Sequence, residues 1–163
     1  MKNKFLIITG LVLLVACTTQ GQSSDVPIWQ IIDLGGGVVY DGYVSKGGFN
    51  GEGTMTYSDG SKYSGQWKNS MRHGNGTMKW KNGNRYQGHW REDLMSGKGT
   101  LLWKNGNKYM GKFEDNLQNG RGTMVYTDGS IYAGSFMAGK PHGKGKRIAK
   151  DGTTVRVSEN SSD

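Results

Sequence analysis

The chain has 163 residues, of which only 34% are hydrophobic, and 28 glycines stand where most domains carry aliphatic residues. Its single cysteine excludes an intrachain disulfide. The net charge of +8, two units of it from Lys2 and Lys4, suits an acidic partner such as anionic lipid, lipopolysaccharide, acidic glycan or an acidic protein face.

Met1–Ala16 has a short basic head and an apolar run, Phe5–Val15, too short to span a bilayer, and reads as a signal peptide. The run ends in Leu14-Val15-Ala16-Cys17, which resembles the lipobox of bacterial lipoproteins. The resemblance implies that Cys17 becomes the first mature residue and carries a diacylglycerol thioether and an N-acyl chain. More than one acyl chain suffices for stable anchoring. Thr18 stands where an inner-membrane retention signal would place Asp, so the expected location is the outer membrane, facing the periplasm. Residues 17–27 then form a lipidated cysteine and a flexible polar tether.

Ile28–Leu34 is the most aliphatic stretch beyond the leader and precedes Gly35-Gly36-Gly37. It reads as one strand of a half-repeat, residues 28–39, covering the first edge of a longer array.

From Tyr40 onward the chain repeats. Tyr40, Tyr63, Tyr86, Tyr109 and Tyr132 are 23 residues apart, and twenty glycines fall at four fixed positions in the five units. A fixed period of this length predicts an array in which each unit buries surface only against its neighbours. Tyr, Trp and Met recur in phase with the glycines, which disfavours a disordered or mucin-like chain.

Each unit opens Tyr-x-Gly-x-aromatic, as in Tyr63/Gly65/Trp67, with Val44 in the aromatic place of the first copy. This two-residue alternation predicts a half-buried strand. A polar connection ending in Gly-x-Gly comes next, and then a second alternating strand such as Gly76-Thr77-Met78-Lys79-Trp80. Each second strand closes on Asp-Gly or Asn-Gly, a strong hairpin signal. A two-residue turn on Asn82-Gly83 would put Tyr86 on the face opposite Met78 and Trp80. A three-residue turn with Gly83 left-handed pairs Trp80 with Asn84 and Met78 with Tyr86, keeping the apolar side chains on one face. Gly76 then faces Gly88, leaving a gap for flanking Trp and Tyr rings.

The expected fold is therefore all-β: a single-layer twisted antiparallel meander of hairpins. Ten repeat strands and one strand at each end make 12, roughly 50–55 Å across the ladder. In the last unit Arg147 and Ala149 replace the apolar pair, and residues 155–163 read as a polar cap strand and tail.

The pattern Tyr-x-Gly-x-Trp…Gly-x-Gly-Thr-Met-x-Trp-x-Asn-Gly, in five copies over residues 40–154, resembles the MORN repeat. The resemblance implies scaffolding, dimerisation or attachment to lipid, with any chemistry carried by other domains.

Nothing in the sequence assembles a catalytic centre. His73 and His142 hold the same repeat position in the loops and lie two units apart, roughly 20–30 Å on strand spacing. His89 has no ligand set around it. Glu92-Asp93 and Glu114-Asp115 fall in long exposed loops with no means of raising one pKa. Neither enzymatic activity nor a metal or cofactor is expected.

Two surfaces remain as binding candidates. One is the aromatic face, with Tyr63, Trp67, Trp80, Tyr86, Trp90, Trp103, Tyr109 and Phe113, which serves either as a groove for a peptide, a second copy or a glycan, or as the only core available. The other is a basic stripe, Lys62, Arg85 and Lys108 one repeat apart, which suits anionic head groups or is solvated surface. The expected partner is a protein or a second copy of the chain, with anionic lipid or cell-wall glycan as the alternative. Nucleic acid fits the charge but not a compartment reached through a signal peptide.

Overall fold

The computed structural model describes residues 25–159, so Cys17 and the leader lie outside the described residues. Twelve strands succeed one another: β1 (Ile28–Gly35), β2 (Val38–Ser45), β3 (Gly48–Thr56), β4 (Lys62–Lys68), β5 (Met71–Lys79), β6 (Arg85–Arg91), β7 (Leu94–Leu102), β8 (Lys108–Glu114), β9 (Leu117–Val125), β10 (Ile131–Met137), β11 (Lys140–Ile148) and β12 (Thr154–Glu159). They form one open sheet in chain order, every neighbouring pair antiparallel. No helix occurs among the described residues.

Two kinds of turn alternate. At the Asn-Gly and Asp-Gly sites the three-residue turn is present: the Trp80 N–H donates to the Asn84 carbonyl at 3.0 Å, and Gly83 is left-handed at φ 91°. Met78 pairs with Tyr86 and Gly76 with Gly88, the register that side-chain parity demands.

The connections on the other side of the sheet are not long loops. The second strands begin at Gly48, Met71, Leu94, Leu117 and Lys140, well before the Gly-x-Gly, and close tight two-residue turns. Asn69-Ser70, Glu92-Asp93 and Asp115-Asn116 occupy these turns with positive φ at both residues, as does Ala138-Gly139. That backbone matches the right-handed twist of the strands on either side. Glu92-Asp93 is thus a tight turn and Glu114 ends β8, so neither pair lies in an extended loop. His73 and His142 likewise sit inside β5 and β11, beside the bulges, and not in loops.

The turns stack from repeat to repeat. The Arg72 N–H donates to Asp93 Oδ1 at 3.0 Å, while the Asp93 N–H donates to the Arg72 carbonyl at 3.1 Å. Met95 and Asn116 reproduce this exchange one unit on, at 2.9 and 3.2 Å. At the opposite margin the Lys104 and Thr127 N–H groups donate to Asn84 Oδ1 and Asn107 Oδ1. Neighbouring repeats are therefore held at both margins as well as through the ladder, which satisfies turn amides that a single layer would otherwise leave bare.

The core lies entirely on one face. Tyr40, Tyr63, Tyr86, Tyr109 and Tyr132 are fully buried, each ring edge-on to the aromatic four residues ahead or, at Tyr40, stacked on Phe49. The rings also cross to the next repeat: Tyr63 to Trp90 at 5.4 Å, Tyr86 to Phe113 at 5.0 Å and Tyr109 to Phe136 at 4.8 Å. Edge-to-face pairs of this kind contribute beyond the area they bury, about 1 kcal/mol each. Tyrosine rings, not tryptophans, fill the glycine gap, since a Cβ at Gly65 or Gly76 would overlap the Tyr63 phenol.

Candidate interaction surfaces

Tyrosine hydroxyls buried in the core need acceptors, and the strand bulges supply them. Tyr63, Tyr86 and Tyr109 each donate to the carbonyl three residues ahead, those of Gln66, His89 and Lys112, at 2.9 Å. Trp67 Nε1 donates to the Gly53 carbonyl at 3.1 Å and Trp90 Nε1 to that of Gly76 at 3.3 Å. Burial pushes the Tyr40 and Tyr109 phenols up to about 12 and raises Tyr63 and Tyr86 as well.

Six of the eight aromatic candidates therefore have their rings committed to the core: Tyr63, Trp67, Tyr86, Trp90, Tyr109 and Phe113 are all buried. Trp80 and Trp103 are half-buried at the turn margin and keep some open surface.

Sequence reasoning missed one position on this face. Phe49, Arg72, Met95, Gln118 and Pro141 are equivalent in the five repeats; the first three lie against the ring row, and Gln118 is buried. The Arg72 guanidinium sits 4.4 Å from the Trp90 ring centre, and its Nε meets Asp93 Oδ1 at 2.8 Å. Parity carried a signal, because Arg72 is in phase with Gly74, Gly76 and Met78. The varied chemistry of the position concealed it.

The opposite face is polar and electrically lopsided. Toward the first strands it carries Asp41 on β2 and Glu52 on β3, and Asp41 Oδ1 is buried without a hydrogen-bond partner among the described residues. Toward the last strands it carries Lys98, Lys112, Arg121, Lys144, Lys146 and Arg156. Lys98 lies directly across from Lys112, and Lys146 from Arg156. Like charges placed opposite one another destabilise a sheet. An open trough of about 720 Å³ runs between Arg121, Lys144, Lys146 and Arg156. The stripe read from sequence is also brought into one row: Lys62 faces Lys79, which faces Arg85, while Leu102 separates Arg85 from Lys108.

The histidines do not converge as a set. His73 and His89 line one shallow depression with Arg91 and Lys98, and His142 is elsewhere, its Nδ1 buried with no hydrogen-bond partner among the described residues. Among the described residues no group of three or more His, Cys, Asp or Glu side chains could hold a metal ion, and no helix is long and apolar enough to cross a membrane.

The first strand covers the edge of β2, as its place before the first repeat predicts, and is left as the outer edge of the described sheet. Among the described residues β1 has only β2 as a neighbour, and Val26, Ile28, Trp29, Ile31 and Leu34 are all about half exposed or more. Trp29 at 54% and Tyr43 at 39% exposure meet edge-on at 5.0 Å on the polar face.

The MORN repeat profile matches residues 40–62, 63–85, 86–108, 109–131 and 132–154. The chain belongs to the MORN repeat family. No curated protein sequence matches it. Among solved structures, one similar chain is the TCP domain of SAS-4 (dCPAP) of Drosophila melanogaster in complex with a proline rich motif of Ana2 (dSTIL). It is 11% identical with a TM-score of 0.40, over 85% of this chain and 88% of that one. MORN arrays are repeat scaffolds, and in this one the open edges and the polar face are the parts left uncommitted by the core.

Proposed function

We propose that this MORN array is a non-catalytic, lipid-anchored interaction module of a bacterial envelope, holding a protein partner or another copy of itself. The observation that carries the reading is the β1 edge, where a row of backbone N–H and C=O groups with no strand partner among the described residues runs beside exposed Trp29 and Ile31. Such an edge is a template for strand addition, in which main-chain hydrogen bonds supply affinity and alternate side chains supply selectivity. Cys17 and the tether up to residue 27 would hold this edge near the membrane, placing the module on the outer membrane facing the periplasm. The test is a photo-crosslinking residue at Trp29 in the full chain within intact envelopes. A discrete protein adduct is expected, and no adduct from Trp29 or Trp80 would overturn the reading. The anchor is tested by palmitate labelling, which Cys17→Ser should abolish while releasing the chain from membranes.

The basic polar face of β7–β12 favours a second reading, an anionic lipid or cell-wall glycan held by the array. Purified Cys17→Ser chain that binds anionic vesicles or sacculi, and releases them as salt rises, would support it. Binding to neither at low salt would exclude it.

A further inference from the structure

We propose that the second copy of this chain docks head to tail, with β12 of one copy adding to β1 of the next and continuing the repeat across the joint. This deepens the interaction-module reading and rests on it.

The phase of the two end strands points to this partner. β1 has the features of a second strand: Ile32 falls 23 residues before Met55, and Gly36-Gly37 stand where later units place Asp59-Gly60. β12 has the features of a first strand, with Val155 falling 23 residues after Tyr132. Every internal hairpin pairs a first strand with a second strand in one register, Tyr63 with Met78 and Ser64 with Thr77. Extended by the same period, that register sets Val155 opposite Ile32, Arg156 opposite Ile31 and Thr154 opposite Asp33. One end of the array thus lacks the half-unit that the other end carries.

The side chains agree with this joint. In the repeats a tyrosine lies over glycines on its own strand and its hairpin partner, as Tyr63 does over Gly65 and Gly76. At the joint Val155 replaces the tyrosine, and the glycine places hold Val157 and Gln30, so a ring and its gap are lost together. Val155, 55% exposed in the single chain, would be covered by Ile32 of the next copy.

Charge selects this pairing over the symmetric ones. Joining β1 to β1 would bring the acidic pole, Asp33 and Asp41, against itself, and joining β12 to β12 would do the same for Lys146 and Arg156. Head-to-tail contact sets Arg156 diagonal to Asp33 and brings the basic pole toward Asp41, whose Oδ1 has no hydrogen-bond partner among the described residues. A heterologous contact that repeats the sheet's own step extends as an open ladder and does not close into a dimer.

The test places a photo-crosslinking residue at Ile31 of the full chain, mixes isotopically heavy and light copies, and maps heavy–light adducts by mass spectrometry. Adducts on the segment 154–159 of another copy are expected. Adducts on β1 of another copy, or no self-adduct, overturn the proposal. A self-adduct on β1, or capture of a different protein from Trp29 in intact envelopes, would leave the broader reading standing, whereas the absence of any adduct in both experiments would remove both. As a second measurement, Asp33→Lys and Arg156→Glu should each reduce adduct yield at low salt at least fivefold, and the double exchange should restore it. Failure of the exchange to restore it, with both single variants weakened, counts against this register.

Discussion

The Tyr63 phenol occupies the space that a side chain at Gly76 would need, from the neighbouring strand of the same hairpin. The relationship recurs in each repeat and converts a residue type that weakens strands into one the core requires. Gly76→Ala should cost about 1–3 kcal/mol through overpacking. Tyr63→Val alone should cost about 3 kcal/mol through a cavity. Because the two sites share one volume, the double variant should cost at least about 1 kcal/mol less than the sum of the singles. Urea denaturation monitored by circular dichroism reads the cycle.

The Tyr86 hydroxyl donates to the His89 carbonyl at 2.9 Å, in a site that water reaches poorly. Tyr86→Phe should cost about 1–2 kcal/mol, because that carbonyl loses its side-chain donor. Tyr86→Ala should cost about 3–5 kcal/mol. A smaller cost for the alanine variant would show that the ring is not core.

Arg72 lies on Trp90 and pairs with Asp93, while Met95 occupies the same position one repeat later. Arg72→Met should therefore change stability by no more than about 1 kcal/mol, because methionine fills the same place against the rings and offsets the lost cation–π contact. Asp93→Ala should cost more than Arg72→Met, because the carboxylate also accepts from the Arg72 backbone N–H.

Alkali should unfold the array in a defined window. A tyrosine ionises near 10 in an unfolded chain, whereas burial holds Tyr40 and Tyr109 at about 12. The folded state keeps the neutral phenol, so its stabilisation is complete below about pH 10 and is lost as pH rises toward 12. Tyrosinate absorbance at 295 nm should rise together with loss of circular dichroism. In acid the sign reverses. Turn hydrogen bonds, from the Ser61 N–H to Asp59 and the Thr153 N–H to Asp151, lower these carboxyls. Their contribution is present above about pH 4 and fades below it.

The single apolar face and the three-residue turn at Gly83 were legible, because strand parity allows only one register in which Met78, Trp80 and Tyr86 agree. The opposite turns were not. Glycine usually announces a left-handed pair, but Asn69-Ser70, Glu92-Asp93 and Asp115-Asn116 adopt it without glycine. Ala138-Gly139 was the one clear cue, and strands begun at the Gly-x-Gly pass over it. Starting them there also hid Arg72 and Met95 from the ring face. That β1 covers β2 was legible from its place before the first repeat, but the exposure of Trp29 and Ile31 was not, because an apolar strand at the end of an array gives no sign of whether it is covered in turn.

Hydroxyl-radical footprinting of the full chain in dilute solution tests most directly the claim that the rings are consumed as core while β1 stays open. Trp29 and Tyr43 should be oxidised quickly, with Trp67, Tyr86, Trp90 and Tyr109 at least tenfold slower. Oxidation of Tyr86 and Trp90 at the rate of Trp29 would contradict it, because the aromatic face would then be an open groove.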